Sequence, residues 1–251
     1  MNFKNMAKAA IVAASLTAAS AHAVPVSFVN EDFEAGTLTG WSTVGTVFAT
    51  PSTSVTTFDS TTYTISAEDT TMAQIEAAGA SIGTIESTLG IASGTLTALN
   101  TNPNGGSLTN GAALYQSFTA GAGDTLDFAW NYVARDYVPF NDPSFALLIG
   151  AGGTTVEVLA SIHGLGAAVG TSGSSGWQTY SKTIGTAGTY TLAFVTTNDK
   201  DTILPSVLFV DAGEGSCDPD CPVVPVPAPG TLGLIALGLL GVTRRRWLSI
   251  R

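Results

Sequence analysis

Apolar and polar residues alternate along several short runs of this chain. In residues 125–133, Leu126, Phe128, Trp130 and Tyr132 share one parity, as do Tyr190, Leu192 and Phe194 in residues 189–196. A period of two puts such residues on one face of a half-buried strand. Residues 144–149, 155–160, 177–184 and 206–211 extend the set, and glycine-rich segments at 121–124, 150–153 and 173–176 separate its members. Short alternating runs with this punctuation predict a mainly β protein, an antiparallel β-sandwich. No regular long helices lie between the strands, which argues against a parallel α/β sheet. One stretch departs from the period of two. Met72, Ile75, Ile82, Ile85, Leu89, Ile91, Leu96 and Leu99 recur at spacings of three, four and seven, interrupted by Gly79, Gly83, Gly90 and Gly94. That pattern predicts a short helical insertion near 71–99.

The two ends follow other rules. Lys4 and Lys8 precede an uncharged apolar run at 9–20, and Ala21-His22-Ala23 follows it. Positive, apolar and small-residue segments in that order predict a secretory signal peptide over residues 1–23, cleaved after Ala23, with Ala21 and Ala23 as the small cleavage-site residues. His163 would then be the single histidine of the exported chain. At the other end, Pro222, Pro225, Pro227 and Pro229 favour an extended polyproline segment. An uncharged run at 230–242 and the arginines Arg244, Arg245 and Arg246 come next. A helix over 230–242 is about 20 Å long, short of the ~30 Å hydrocarbon layer. The neighbouring Pro/Val residues and Trp247 bring it to a span, so a transmembrane helix is expected over 230–247 with the arginines on the cytoplasmic side. The resulting organisation is a signal peptide (1–23), a β-sandwich ectodomain (24–215), a Cys/Pro-rich linker (216–229) and a C-terminal signal (223–251).

Composition sharpens this picture. Only 11% of the 251 residues are charged, against 45% hydrophobic. Residues 24–222 carry three bases (Arg135, Lys182, Lys200) against all 19 acids, a net charge of −16. Such a surface repels polyanions, so nucleic acid is excluded as a partner, and it attracts divalent cations. Two histidines in the whole chain exclude a zinc centre built on several of them. Cys217 and Cys221 frame Asp-Pro-Asp; in an oxidising compartment the expectation is a disulfide between them, with zinc the alternative although two thiolates make half a site.

The tail resembles a PEP-CTERM sorting signal: a Pro-x-Pro motif, a short Leu/Gly-rich membrane segment and a terminal basic cluster. Here the motif is Pro227-Ala228-Pro229, where the family's name has Pro-Glu-Pro, and the cluster is Arg244-Arg245-Arg246. The resemblance implies an exosortase as partner, anchoring in the inner membrane before processing, and release to the cell surface or extracellular matrix. The opening run from Val29 to Trp41, with Asn30, Asp32, Phe33, Glu34 and Gly40, is similar to the start of exported jelly-roll modules of the galactose-binding type. The run from Gln116 to Tyr132, followed by Asn141-Asp142, resembles the ectodomain of many PEP-CTERM proteins. Together these imply a jelly-roll-like sandwich. The jelly-roll resemblance further implies a structural calcium ion tying the first strand to the last, with Asp32, Glu34 and Asp211 at the matching places; carboxylates and carbonyl oxygens suit that ion.

Sugars stack on flat rings, so exposed aromatics would mark a glycan site; Trp41, Trp130, Trp177, Tyr132, Tyr137 and Phe140 are available. Trp130 lies in an alternating strand and belongs to the core. The loop Tyr137-Val-Pro-Phe140-Asn141-Asp142 combines rings with polar groups and is the candidate ligand site. Catalysis finds less support. The 19 acids single out no glycosidase pair, and His163 has no Gly-x-Ser-x-Gly elbow to serve. The reading is an exported protein, not an enzyme, with a structural or adhesive role beside extracellular polysaccharide. A carbohydrate-binding module is the alternative and a polysaccharide hydrolase the third.

Overall fold

The computed structural model describes residues 24–212; the signal peptide with Ala21 and Ala23, Cys217 and Cys221, and the whole tail with Pro227, Ala228, Pro229 and the three arginines lie outside them. In chain order the elements are β1 (Ser42–Val44), β2 (Thr46–Thr50), β3 (Thr53–Thr56), β4 (Thr62–Ile65), β5 (Met72–Glu76), β6 (Ala80–Ser81), α1 (Ile82–Leu89) and α2 (Thr95–Ala98). They continue with β7 (Leu108–Ala120), β8 (Thr125–Val133), β9 (Ser144–Gly150), β10 (Gly153–Ser161), β11 (Ala167–Ala168), β12 (Ser174–Thr183), β13 (Gly188–Asp199) and β14 (Val207–Ala212).

Two sheets form the sandwich. One has the order β12-β8-β14-β5-β2; the other has β1-β7-β13-β9-β10-β11, with β6 also on β7. The alternation read from sequence decides the inner faces. Leu126, Phe128, Trp130 and Tyr132 of β8 and Leu208 and Val210 of β14 meet Leu114 and Phe118 of β7 and Leu192 and Phe194 of β13 in one core. The outer faces are covered too. Ala193 and Val195 of β13 with Phe145 and Leu147 of β9 pack under Ile82, Ile85, Leu89 and Leu96 of the helices. On the other sheet Met72, Val133, Val207 and Phe209 pack under Val55 and Ile65 of the β3–β4 hairpin. The architecture is therefore four layers: helices, sheet, sheet, hairpin.

The helical insertion is narrower than 71–99. Its start is strand β5, paired on both sides to β14 and β2. Met72 and Ile75 are three apart, a helical spacing, yet Met72 faces the hairpin and Ile75 the core. A strand buried on both faces carries apolar residues at both parities, so periodicity alone does not separate it from a helix. The remainder is helical for local reasons. Ser81 caps α1, its Oγ accepting the Thr84 N–H at 3.1 Å, and Gly90 ends it at φ 68°. The buried Glu86 carboxylate accepts the N–H of Gly94 (2.8 Å) and of Leu96 (2.9 Å), holding α2 to α1. Glu86→Ala leaves both donors without that acceptor and should cost on the order of 2 kcal/mol. Limited proteolysis should then cut first between Leu89 and Thr95; an unchanged cleavage pattern would refute this role.

The residues of the two family-like runs hold the fold. Asn30, at φ 53°, donates from Nδ2 to Thr37 O (2.8 Å) and accepts Ala35 N–H (3.2 Å), and its carbonyl takes the Trp41 indole N–H at 3.0 Å. Trp41 then stacks on Phe28 with ring centroids 5.7 Å apart. Gln116 grips Val29 through both backbone groups, at 2.8 and 3.0 Å. The chain passes from one sheet to the other at Gly45, φ 81°, where a Cβ would meet the Gly111 carbonyl oxygen at 2.5 Å.

Candidate functional site

The loop expected to bind ligand divides in two. Asn141 and Asp142 point inward and are 1% and 0% exposed. Asn141 Oδ1 accepts the His163 N–H (3.0 Å) and its Nδ2 donates to Asn100 Oδ1 (3.0 Å). Asp142 accepts the Asp199 N–H (2.9 Å) and the Ser206 hydroxyl (2.8 Å), and its carbonyl takes the Tyr132 hydroxyl at 2.7 Å. Burial pushes its carboxyl well above the usual range, helped by the charges of Asp136 and Asp199. Both are anchors of the sandwich's polar end, not surface groups. Tyr137 and Phe140 remain at the surface, half-buried, their centroids 5.3 Å apart, and Tyr137 meets the exposed Phe58 of the β3–β4 turn at 4.2 Å. His163 belongs to the same end. Its Nε2 lies 2.9 Å from Asn102 Oδ1 and 3.0 Å from Asn104 Nδ2, and burial lowers its pKa. Ser161 Oγ is spent on the Gly164 N–H and Leu165 carbonyl.

The three acids that the jelly-roll resemblance implies for calcium are placed unequally. Asp32 Oδ1 caps its own turn, accepting the Glu34 N–H at 3.1 Å. Glu34 accepts the N–H of Thr70 (3.0 Å) and Thr71 (2.7 Å) and the Thr70 hydroxyl. Asp211 accepts the N–H of Glu68 (2.8 Å) and Ala212 (2.9 Å). Glu34 and Asp211 are neighbours, close enough for one charge to raise the other's pKa. Yet N–H donors occupy their facing oxygens, and no three His, Cys, Asp or Glu side chains among the described residues converge to hold a metal ion. This donor set does not fit a calcium cage, which draws six to eight oxygens around the ion.

Asp211 instead lines an open groove of about 530 Å³ on the outer face of the β12-β8-β14 sheet. The register builds it. Thr179, Ala129 and Asp211 lie side by side on β12, β8 and β14, so the small Ala129 floors a channel between a hydroxyl and a carboxyl. Trp177, 37% exposed, lies two residues along β12 and lines the groove with Gln178. Glu68, in the chain leaving β4, lies on the hairpin side. Plain alternation aims the indole: Trp177 to Thr183 pair without a break against Asn131 to Thr125, and Tyr180, three residues on, lies in the core. Ser174 pairs with Val133 and Trp177 with Asn131, so β12 carries one extra residue there, beside Gly176 at φ 63°. Burial, more than the nearby Glu68 and Glu34 charges, pushes the Asp211 carboxyl up to about 6. An aromatic plane beside convergent polar groups and a perturbed acid is the usual makeup of a small-molecule site. Sequence reasoning named Trp177 and Asp211 separately but did not join them. One signal was legible: Trp177 shares parity with Thr179 and Ser181, the polar face of β12. Trp41 and Trp130, by contrast, are core, 8% and 6% exposed.

No curated protein matches the chain. Among solved structures, TmCBM61 in complex with beta-1,4-galactotriose is 12% identical, over 72% of this chain and 91% of that one, at a TM-score of 0.38. The enzymatically active domain of bacteriophage CBA120 tailspike protein 4 is 12% identical over 73% of this chain and 20% of that one, at 0.34. A structure of carbohydrate-binding modules from the beta-sandwich super family is 13% identical over 77% of this chain and 62% of that one, at 0.31. Beyond the sandwich, residues 225–246 match the PEP-CTERM protein-sorting motif. The chain is thus an exported protein that carries, downstream of an acidic β-sandwich, the sorting motif of exosortase substrates.

Proposed function

We propose that this chain delivers its sandwich to the cell surface or extracellular matrix, where it has a structural or adhesive role with extracellular polysaccharide. The observation that carries the reading is the sorting motif at 225–246, which follows a sandwich with its own closed core. An exosortase processes the chain while the tail holds it in the inner membrane, and the sandwich leaves that membrane afterwards. The sandwich acts by binding, without turnover. The test compares the full chain with a variant in which Arg244, Arg245 and Arg246 are alanine, in a host that has an exosortase. The parent should reach the surface or matrix, and the variant should fail to, because the positive cluster fixes the orientation of the tail. Equal surface amounts of the two would overturn the reading.

A second reading, a carbohydrate-binding module, is favoured by the groove at Trp177. A pyranose ring presents a C–H face and a rim of hydroxyls. An exposed indole beside the exposed Thr179 and Glu68 offers a partner for each.

A further inference from the structure

Resting on that second reading, we infer that the Trp177 groove takes an internal stretch of an uncharged pyranose chain and rejects acidic polysaccharide. Shape and charge carry the inference. The groove is open, so a chain can lie through it without presenting an end. Its floor is Ala129, small enough to let a ring settle between Thr179 and Asp211. The Asp211 carboxyl, 2% exposed, uses one oxygen on the Glu68 N–H and the other on the Ala212 N–H, so it lends the wall its charge, while the exposed Glu68 and Thr179 offer acceptors to a sugar hydroxyl.

The electrostatics are one-sided. Asp211 and Glu68 line the groove, and Glu34 lies close enough to act on Asp211. The bases of the described residues are engaged elsewhere. Arg135 Nε donates to Thr56 O at 3.3 Å, Lys182 pairs with Glu157 at 2.6 Å, and Lys200 donates to Asn104 O at 3.1 Å. A uronate, sulfate or phosphate in the groove would meet carboxyl groups with no cation to offset them, and like charges brought together without compensation disfavour binding. Neutral hydroxyls carry no such penalty. The exposed Phe58–Tyr137–Phe140 cluster lacks this one-sidedness: it adjoins a cation, Arg135, whose carbonyl accepts the Phe58 N–H at 2.9 Å.

The experiment uses the full-length protein purified in detergent, titrated calorimetrically with cellohexaose, mannohexaose and galactohexaose, and with hexagalacturonate as the acidic probe. At least one neutral hexaose should bind. Trp177→Ala should weaken it by at least about tenfold, the loss typical of an aromatic hot spot, with Trp177→Phe recovering part. Trp177 is at the surface, so the alanine variant should melt with the parent, which separates lost contact from lost fold. Tyr137→Ala should bind as the parent does. The inference is overturned if no neutral hexaose binds, if Trp177→Ala binds unchanged, if Tyr137→Ala is the variant that loses binding, or if hexagalacturonate binds as tightly. Surface delivery is read separately. Trp177→Ala reaching the surface without binding would leave the sorting reading intact, whereas the triple-arginine variant reaching the surface would sink that reading and leave this inference standing.

Discussion

Replacing Asp142 with leucine should lower the melting temperature by roughly 5–12 °C, from a loss of about 3 kcal/mol. Asp142 joins three parts of the chain. Its carboxylate holds the Asp199 N–H at the end of β13 and the Ser206 hydroxyl ahead of β14, and its carbonyl holds the Tyr132 hydroxyl of β8. Leucine leaves the first two donors buried without that acceptor, and each such donor costs about 1–3 kcal/mol. Removing a buried carboxyl offsets part of the loss. The backbone adds to it: Asp142 sits at φ 42°, which short polar side chains tolerate better than leucine. Asp142→Asn is the control. It keeps an acceptor for Asp199 and can donate to Ser206, so it should lose less than half as much. Calorimetric melts of both variants decide. A leucine variant that melts with the parent would show that the polar end of the sandwich is not held through this residue.

Stability should peak in mildly acid solution and fall on approach to neutrality. Burial raises the carboxyls of Asp136 and Asp211 to about 6 from an ordinary 3.8. Asp142 moves the same way. The charges that face these groups add to burial: Asp201 for Asp136, Asp136 and Asp199 for Asp142, and Glu68 and Glu34 for Asp211. These acids keep protons in the folded chain that the unfolded chain gives up, so folding strengthens as pH falls from 7 through about 6 toward 4. Each of the two acids that titrate near 6 adds to that rise, by on the order of 1 kcal/mol once solvent screening has weakened the full shift. His163 opposes them, since burial disfavours its charged form and charging it costs stability as pH drops through its ordinary 6.5. Below pH 4 two other acids reverse the trend. Burial pulls Glu34 up, but hydrogen bonds from Thr70 and Thr71 outweigh it and hold the carboxyl below 4.5. The Thr61 N–H and the Thr57 hydroxyl hold Asp59 at about 2. Their stabilisation is present above the ordinary carboxylate range and is lost as pH falls through their folded values. Melting temperatures measured from pH 3 to 8 should therefore pass through a maximum between about 4 and 6. Asp136→Asn and Asp211→Asn should each flatten the alkaline side. A melting temperature that rises steadily from pH 5 to 7.5 would contradict the burial of these acids.

How far the sequence reached depends on the range over which each feature is specified. The faces of β8 and of β13 were legible because a strand's period is local: Leu126, Phe128, Trp130 and Tyr132 need no partner to declare their side. Strand β7, the longest at 13 residues, was not recognised as a strand, because it is buried on both faces along much of its length and so shows no clean alternation. The same double burial made β5 look helical. In the candidate ligand loop, residue type was read correctly as a mixture of rings and polar groups. The direction of Asn141 and Asp142 was not legible, since it follows from donors at Asn100, His163, Asp199 and Ser206 that are distant in sequence.

By itself the sequence determined the sorting tail, the acidic balance and the strand faces, because each is written in a continuous run of residues and needs no packing to take effect. Tertiary structure alone decided the groove. Cross-strand register set Thr179, Ala129 and Asp211 in one row with Trp177 two residues along the same face, and the hairpin brought Glu68 alongside. Register is a property of paired strands, and a one-residue slip would have turned the same indole the other way.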